Sequence, residues 1–324
     1  EQLNPRVTSA ADGNFIVVWE DLRTGSYDLY IQKLDIDGNF MWGQEGIDLV
    51  VDPFNQRNPR IEDDANGGCY VVWDDGRAGG HPDIDIYMQH VESDGTLAWE
   101  ENGRAVTQIP GETFAPLIKP AGDNIYVCWG DMRTGSIGIY YQAYDLLGES
   151  IFVDNGIEIY WGLSGDAVNH RVVKNGDDIF VAWQDTRYAN FGDQIKVQKI
   201  DINGEIQFIE NGISITTEHS GRHQESMRAI PHHQGGLAMT WTEQPDAFVL
   251  IYAQAIDADG NPLWGDMGVM PSTLDYGYAQ ANPKISYDGE DGYIIAWDET
   301  NQSSTWERDI RAQRIVNGET VWDD

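Results

Sequence analysis

Six copies of one motif account for nearly the whole chain, and that repetition constrains the fold more than anything else in the sequence. The unit opens at Pro5, Pro59, Pro116, His170, Met227 and Pro283, at steps of 54, 57, 54, 57 and 56 residues. Every copy then reaches a tryptophan (Trp19, Trp73, Trp129, Trp183, Trp241, Trp297), a glutamine (Gln32, Gln89, Gln142, Gln198, Gln254, Gln313) and a second aromatic (Trp42, Trp99, Phe152, Phe208, Trp264, Trp322). A period this steady marks a repeat architecture.

Each unit reads as four short strands. In the first copy they are Arg6–Ser9, Phe15–Trp19, Leu29–Leu34, and Phe40–Trp42 with its continuation. Val, Ile, Tyr and Trp dominate these runs. Pairs such as Asp12-Gly13, Asp94-Gly95, Asn203-Gly204 and Asp259-Gly260 supply the positive φ that tight hairpins need. No stretch keeps helical periodicity for ten residues or more. Four antiparallel strands repeated six times predict an all-β, six-bladed β-propeller of four-stranded antiparallel blades. The expected organisation is one domain over residues 1–324, with blades at about 4–50, 58–107, 115–160, 169–216, 226–270 and 282–324. A solenoid would need capping units, and separate sandwiches would need longer units. The sixth copy stops at Trp322-Asp323-Asp324. The expectation is therefore that blade six packs directly on blade one without a swapped strand.

Charge narrows the partners. The chain has 54 acidic and 20 basic residues, a net charge of −34, which disfavours nucleic acid and anionic membranes. No apolar run of membrane-spanning length occurs, so no membrane insertion is expected. Cys69 and Cys128 fall at positions facing opposite sides of their strands and read as small buried apolar residues, not as a disulfide. The chain begins at Glu1 inside a unit, and a place in a longer multidomain chain is expected.

The Trp-x-Asp-x-Arg … Asp-Ile-Tyr-x-Gln … Asp-x-x-Gly-x-x-x-Trp pattern, fullest in Asp74–Trp99, resembles propeller-type repeat segments of secreted or surface proteins from bacteria with type IX secretion. The resemblance implies the propeller fold and a secreted or cell-surface location, and no activity.

Four copies keep the whole Trp-x-Asp-x-Arg element, as Asp21 with Arg23, Asp75 with Arg77, Asp131 with Arg133, and Asp185 with Arg187. These read as a structural network in which each Asp caps its turn and each Arg pairs with a carboxylate, stitching blade to blade. The six glutamines read as bonding backbone between strands. The turns Asp35–Gly38 and Asp257–Gly260 could bind calcium but offer two carboxylates each, so they read as ordinary hairpins and no cofactor or metal is expected. His170, His219 and His223 read as loop histidines without metal-ligand spacing. Aromatics in the connections, Trp161, Tyr276, Tyr278 and Trp306, are the candidate ligand-binding residues, because such side chains stack on sugars or anchor peptides. They sit on the face that carries the connections between blades and the turns between second and third strands. Two functions compete. The main expectation is a non-catalytic recognition or scaffold module binding a glycan or protein partner, with no catalytic residue assigned. The alternative is a carbohydrate-active hydrolase or lyase using carboxylates of that same face. A raised carboxyl pKa in a cleft would favour the enzyme.

Overall fold

The computed structural model describes residues 1–80, 83–160, 165–187, 192–216, 223–244, 249–272, 278–301 and 308–322; of residues 278 and 301 it describes the backbone alone. Among these residues there is no helix. Six antiparallel sheets follow one another along the chain, one per repeat. The first holds β1 (Gln2–Ser9), β2 (Phe15–Asp21), β3 (Asp28–Leu34) and β4 (Ile47–Val50). The second holds β5 (Gln56–Asp63), β6 (Cys69–Gly80), β7 (Asp83–Val91) and β8 (Arg104–Ala105). The third holds β9 (Thr113–Ala121), β10 (Asn124–Asp131), β11 (Gly138–Asp145) and β12 (Ile157–Tyr160). The fourth holds β13 (Ala167–Asn175), β14 (Asp178–Asp185), β15 (Gln194–Ile200) and β16 (Ile213–Ser214). The fifth holds β17 (Gln224–Pro231), β18 (Leu237–Glu243) and β19 (Leu250–Ile256), and its fourth strand shrinks to the Ala253–Val269 bridge. The sixth holds β20 (Tyr278–Tyr287), β21 (Gly292–Asn301), β22 (Arg308–Val316) and β23 (Glu319–Thr320).

The chain divides into two compact units, Glu1–Glu158 and Ile159–Asp324. In the first, Val18, Ile31 and Trp42 of sheet one pack with Cys69, Val71 and Val91 of sheet two. Tyr70, Val72 and Met88 of sheet two pack in turn with Ile118, Val127 and Tyr144 of sheet three. The second unit repeats the scheme, with Phe180 and Val197 against Met239 and Ile256, then Ala253 and Ala255 against Ile295 and Ile315. Alternation along each strand supplies one apolar face to each neighbour. Both thiols are free and buried, which agrees with their reading as core residues.

The fourth strand begins later than the sequence suggests, in the continuation beyond Trp42. Phe40–Trp42 forms only a single bridge, from Phe40 to Leu34, and the strand itself is Ile47–Val50. The cause is Gln32. Its Oε1 accepts the N–H groups of Lys33 and Trp42, both at 2.9 Å, and its Nε2 donates to the Gly43 carbonyl at 2.7 Å. The amide occupies backbone groups that a strand would otherwise use, and Trp42 turns inward to the core. Gln89, Gln142, Gln198 and Gln254 make the same set of bonds in their own sheets, and Gln313 differs only in donating to the carbonyl of Trp322 itself.

The first strand of every sheet carries a bulge. Asn4, Asn58, Ala115, Asn169, Ser226 and Asn282 occupy one equivalent position with φ between 49° and 55°, and the register shifts beside each. A bulge bends the strand and re-aims the side chains next to it. In β17 the shift falls between Glu225 and Arg228.

Candidate functional site

The Trp-x-Asp-x-Arg element folds as a clasp inside each sheet. In sheet two, Asp75 accepts Trp73 Nε1 at 2.8 Å, the Arg77 backbone N–H at 2.9 Å, and Arg77 Nη2 at 2.6 Å. The Arg77 guanidinium lies 3.8 Å from the centre of the Tyr87 ring and donates to the Asn102 carbonyl. Asp21 with Arg23, Asp131 with Arg133 and Asp185 with Arg187 pair in the same way. The Arg23 guanidinium, with bonds from Gln2 and Trp19, holds the Asp21 carboxyl well below the usual range in spite of its burial. Each arginine thus pairs with the aspartate two residues before it, within its own sheet and not from blade to blade. The reason is geometric: Asp and Arg at i and i+2 lie on one side of a strand end. In sheets five and six Glu243 and Glu299 take the tryptophan N–H instead, and Arg311 of β22 faces Glu299 at 3.5 Å.

The residue between Trp and Asp faces the opposite side, toward the bulge. Glu20, Asp74, Gln184 and Asp298 each accept the Nδ2 of the bulge asparagine of their own sheet at 2.8–2.9 Å. Where the bulge residue is Ala115 or Ser226 the position holds Gly130 or Thr242. Glu20 is fully buried, and its Oε2 accepts Arg57 Nε at 3.1 Å. Asp74 has no such arginine, because the residue equivalent to Arg57 in the next sheet is Phe114. Burial pushes the Asp74 carboxyl up to about 7, against the lowering effects of Asn58, Arg60 and the Ala115 N–H.

The second unit brings chemistry-bearing groups around a cavity. A space of about 430 Å³ is lined by Asn169, Arg171, Gln184, Glu225, Ser226, Met227 and Arg228. A smaller one, of about 170 Å³, shares Glu225 and adds His223, Thr242, Glu243 and Val249. The β17 bulge at Ser226 sets the directions of Glu225 and Arg228 on either side of it. His223 Nδ1 lies 3.4 Å from Asp193 Oδ2. Asp193 is 9 % exposed and accepts Gln184 Nε2 at 2.8 Å. A carboxylate beside Nδ1 places the proton there and leaves Nε2 as the basic nitrogen. Glu243 is fully buried and committed to Trp241 and Gln224. Asp193, His223 and Glu225 each present a donor atom within 4.8 Å of the others, a set that could hold a divalent cation. Asp64, His90 and Glu92 form a similar group, but Asp64 there caps the N–H groups of Asn66 and Gly68.

Of the aromatic ligand-binding candidates, Trp161, Tyr276 and Trp306 lie outside the described residues, as does the side chain of Tyr278. His219 is likewise outside them, and His170 is buried at 5 % exposure. The calcium candidates are spent on their own turns: Asp35 and Asp257 each accept two backbone N–H groups and one asparagine Nδ2. His223, set aside in the sequence as a loop histidine, stands at the cavity. Asp193 and Glu225 carried no sequence signal, since carboxylates are everywhere in this chain. Arg171 and Arg228 did, as the basic residue one place after the start of the unit.

No family model matches the chain, and no curated protein matches it. Solved structures do. The polysaccharide lyase Uly1 is similar with a TM-score of 0.56 at 9% identity, over 98% of this chain and 78% of that one. A protein of unknown function from Dyadobacter fermentans has a TM-score of 0.51 at 10% identity, over 96% and 93%. An α-L-arabinanase of Penicillium chrysogenum, complexed with arabinobiose, has a TM-score of 0.49 at 13% identity, over 99% and 94%. At such identities the likeness is one of fold, and the chain has the all-β, six-bladed propeller fold that its repeat predicts. One expectation is corrected. Uly1, the one of these three that is named for an activity at a TM-score above 0.5, is a polysaccharide lyase, which counts against the non-catalytic module expected from the sequence. The sequence misled here because a motif kept in every blade reports packing, while the residues that differ between blades carry no motif.

Proposed function

We propose that the chain is a carbohydrate-active enzyme, a hydrolase or lyase, that works at the cavity of the second unit. The observation that carries this reading is the convergence of Glu225 and the Asp193–His223 pair on neighbouring cavities. The reading is further supported by the fold likeness to a polysaccharide lyase. A concave site with a few convergent polar groups is where such chemistry is sought.

The roles follow from contacts. Asp193 is a positioning residue: fixed by Gln184, it orients the His223 ring. His223 is the base, and Glu225 is the second acid–base group at the cavity. General acid–base catalysis by one positioned side chain contributes about 10²–10⁴-fold to rate. The acidic surface and the resemblance of the repeat to secreted bacterial proteins support an extracellular setting.

The test is a panel of polysaccharides, with reducing ends measured after incubation and the ultraviolet absorbance of an unsaturated product separating lyase from hydrolase. His223→Ala and Glu225→Gln are each expected to lower turnover at least about 100-fold while melting like the parent. An inert parent on every glycan, or folded variants as active as the parent, would overturn the assignment.

A further inference from the structure

Two guanidinium groups face one carboxylate in the second unit's cavity. Arg171 of β13 and Arg228 of β17 line it together with Glu225. The chain holds 54 acidic residues against 20 basic ones, so an arginine finds a carboxylate almost anywhere on it. Arg23, Arg57, Arg77, Arg104, Arg133, Arg187, Arg311 and Arg314 all do so. Arg228 has no ion pair among the described residues. Its Nη1 donates to the Met227 carbonyl at 2.8 Å, and Arg171 Nη1 donates to the His170 carbonyl at 2.8 Å. The Arg228 bond ties its guanidinium to its own strand without neutralising it.

The same position of the repeat is basic in five of six copies: Arg6, Arg60, Arg171, Arg228 and Lys284, with Leu117 in the third. In the first unit, Arg6 and Arg60 also donate to the preceding carbonyl, at 3.0 Å each. They stand close enough that, after burial, the charge of Arg6 lowers the pKa of Arg60. Gathering like charges is unfavourable unless an anion binds between them. A second cavity gives the contrast. A space of about 670 Å³ in the first unit is lined by Glu100, Glu149 and Asp154 against Arg104 alone. It has the charge expected of this chain, and the Arg171–Arg228 cavity does not.

We infer that the glycan taken by the second unit's cavity is anionic, a polysaccharide carrying carboxylate groups, held by Arg171 and Arg228. The inference rests on the carbohydrate-active reading above. Carboxylate is the group of choice because a guanidinium presents a planar fork of donors that a carboxylate matches with two parallel hydrogen bonds.

Binding is measured apart from turnover, by titration calorimetry of the whole chain with three polyuronates (polygalacturonate, alginate and hyaluronan), neutral arabinan and a sulfated galactan. At least one polyuronate is expected to bind more tightly than arabinan and the sulfated galactan, and less tightly as salt rises. Arg228→Gln should weaken that binding at least about tenfold, the loss expected for one charge-assisted hydrogen bond. Arg104→Gln, the same charge change in the acidic cavity, should leave it unchanged. Arg228→Lys keeps the charge, loses the fork and should fall between; it carries the test if Arg228→Gln does not fold. Failure of all three polyuronates to bind, equal or tighter binding of either other glycan, or folded Arg228 variants that bind like the parent, would overturn the inference. Arg228-dependent polyuronate binding with no product on any glycan would leave it standing while removing the enzyme reading. Cleavage of a neutral glycan with no polyuronate bound would do the reverse.

Discussion

Asp74 and Asp75 are neighbours on β6, and their fates differ completely. Asp75 is fully buried and meets an indole N–H, a guanidinium and a backbone N–H. Asp74, on the other face, is nearly as buried, keeps one asparagine donor, and has its carboxyl pushed up to about 7. Alternation puts successive side chains of a strand in different environments. In this repeat the Asp75 face is copied from sheet to sheet, with Glu in the last two. The Asp74 face reads Glu20, Asp74, Gly130, Gln184, Thr242 and Asp298. The copied face secures each sheet, and the varied face is where the sheets become chemically different. The cavity of the second unit lies on the varied side, with Gln184 in its lining.

The largest effect expected from this contrast comes from breaking the copied face. Asp75→Ala strands Arg77 and the Trp73 N–H, and removing one partner of a buried charged pair costs about 3–5 kcal/mol. Chemical denaturation should show that loss. Asp75→Glu should cost clearly less, because Glu243 and Glu299 already receive the tryptophan N–H in their own sheets. A loss for Asp75→Ala no larger than for an exposed carboxylate such as Asp37 would show that the clasp does not secure the sheet.

The next effect sharpens the contrast through pH. Asp21, on the copied face, is held below the usual carboxylate range by Arg23; its stabilising contribution is present at neutral pH and is lost as acid protonates it. Asp74 has the opposite sign. Below about pH 4 the folded and unfolded chains both hold its proton and nothing is lost. From there to about pH 7 the unfolded chain releases the proton while the folded chain keeps it, so stability falls. Asp74→Asn removes that loss and should stabilise the protein above pH 7 by on the order of 4 kcal/mol, with no gain near pH 4. Melting curves across pH decide it. A gain that is the same at every pH would mean that the proton is not the cause.

The two faces also differ in how far the sequence reveals them. The clasp and the glutamine bonds were legible because they recur: six copies of Gln32 and its equivalents average away chance, and Gly and Asn mark the turns between them. Strand order and sheet number followed from the same repetition. The start of the fourth strand was misplaced because no residue pattern shows that Gln32 will turn the backbone at Trp42 and Gly43. Nor did the direction of the arginine pairing show, since Arg77 is as near in sequence to its own aspartate as any cross-sheet partner would need to be in space. The cavity was the least legible part. Asp193 closes the connection from β14 to β15, His223 precedes β17, and Arg171 belongs to β13. Their meeting depends on long-range packing that leaves no spacing to read.

The smallest expected effect tests the bulge that separates the two faces. Asn58 sits at φ 54° and donates to Asp74. Positive φ disfavours most side chains, and asparagine tolerates it better than alanine. Asn58→Ala therefore loses one hydrogen bond and some conformational preference, about 1 kcal/mol together. The protein contains its own control, since Ala115 holds the equivalent place in sheet three at φ 52°. Alanine is thus compatible with the bulge, and the variant should keep its fold. The cost should also depend on Asp74. The Asn58 donor favours the ionised carboxylate, so its removal should move the Asp74 transition to still higher pH. In a double-mutant cycle, Asn58→Ala should shift the pH dependence in the presence of Asp74 and leave it unmoved in the Asp74→Asn background. If the shift persists without the carboxyl, the bulge acts on another group and the two faces of β6 are coupled more broadly than the single Asn58–Asp74 bond allows.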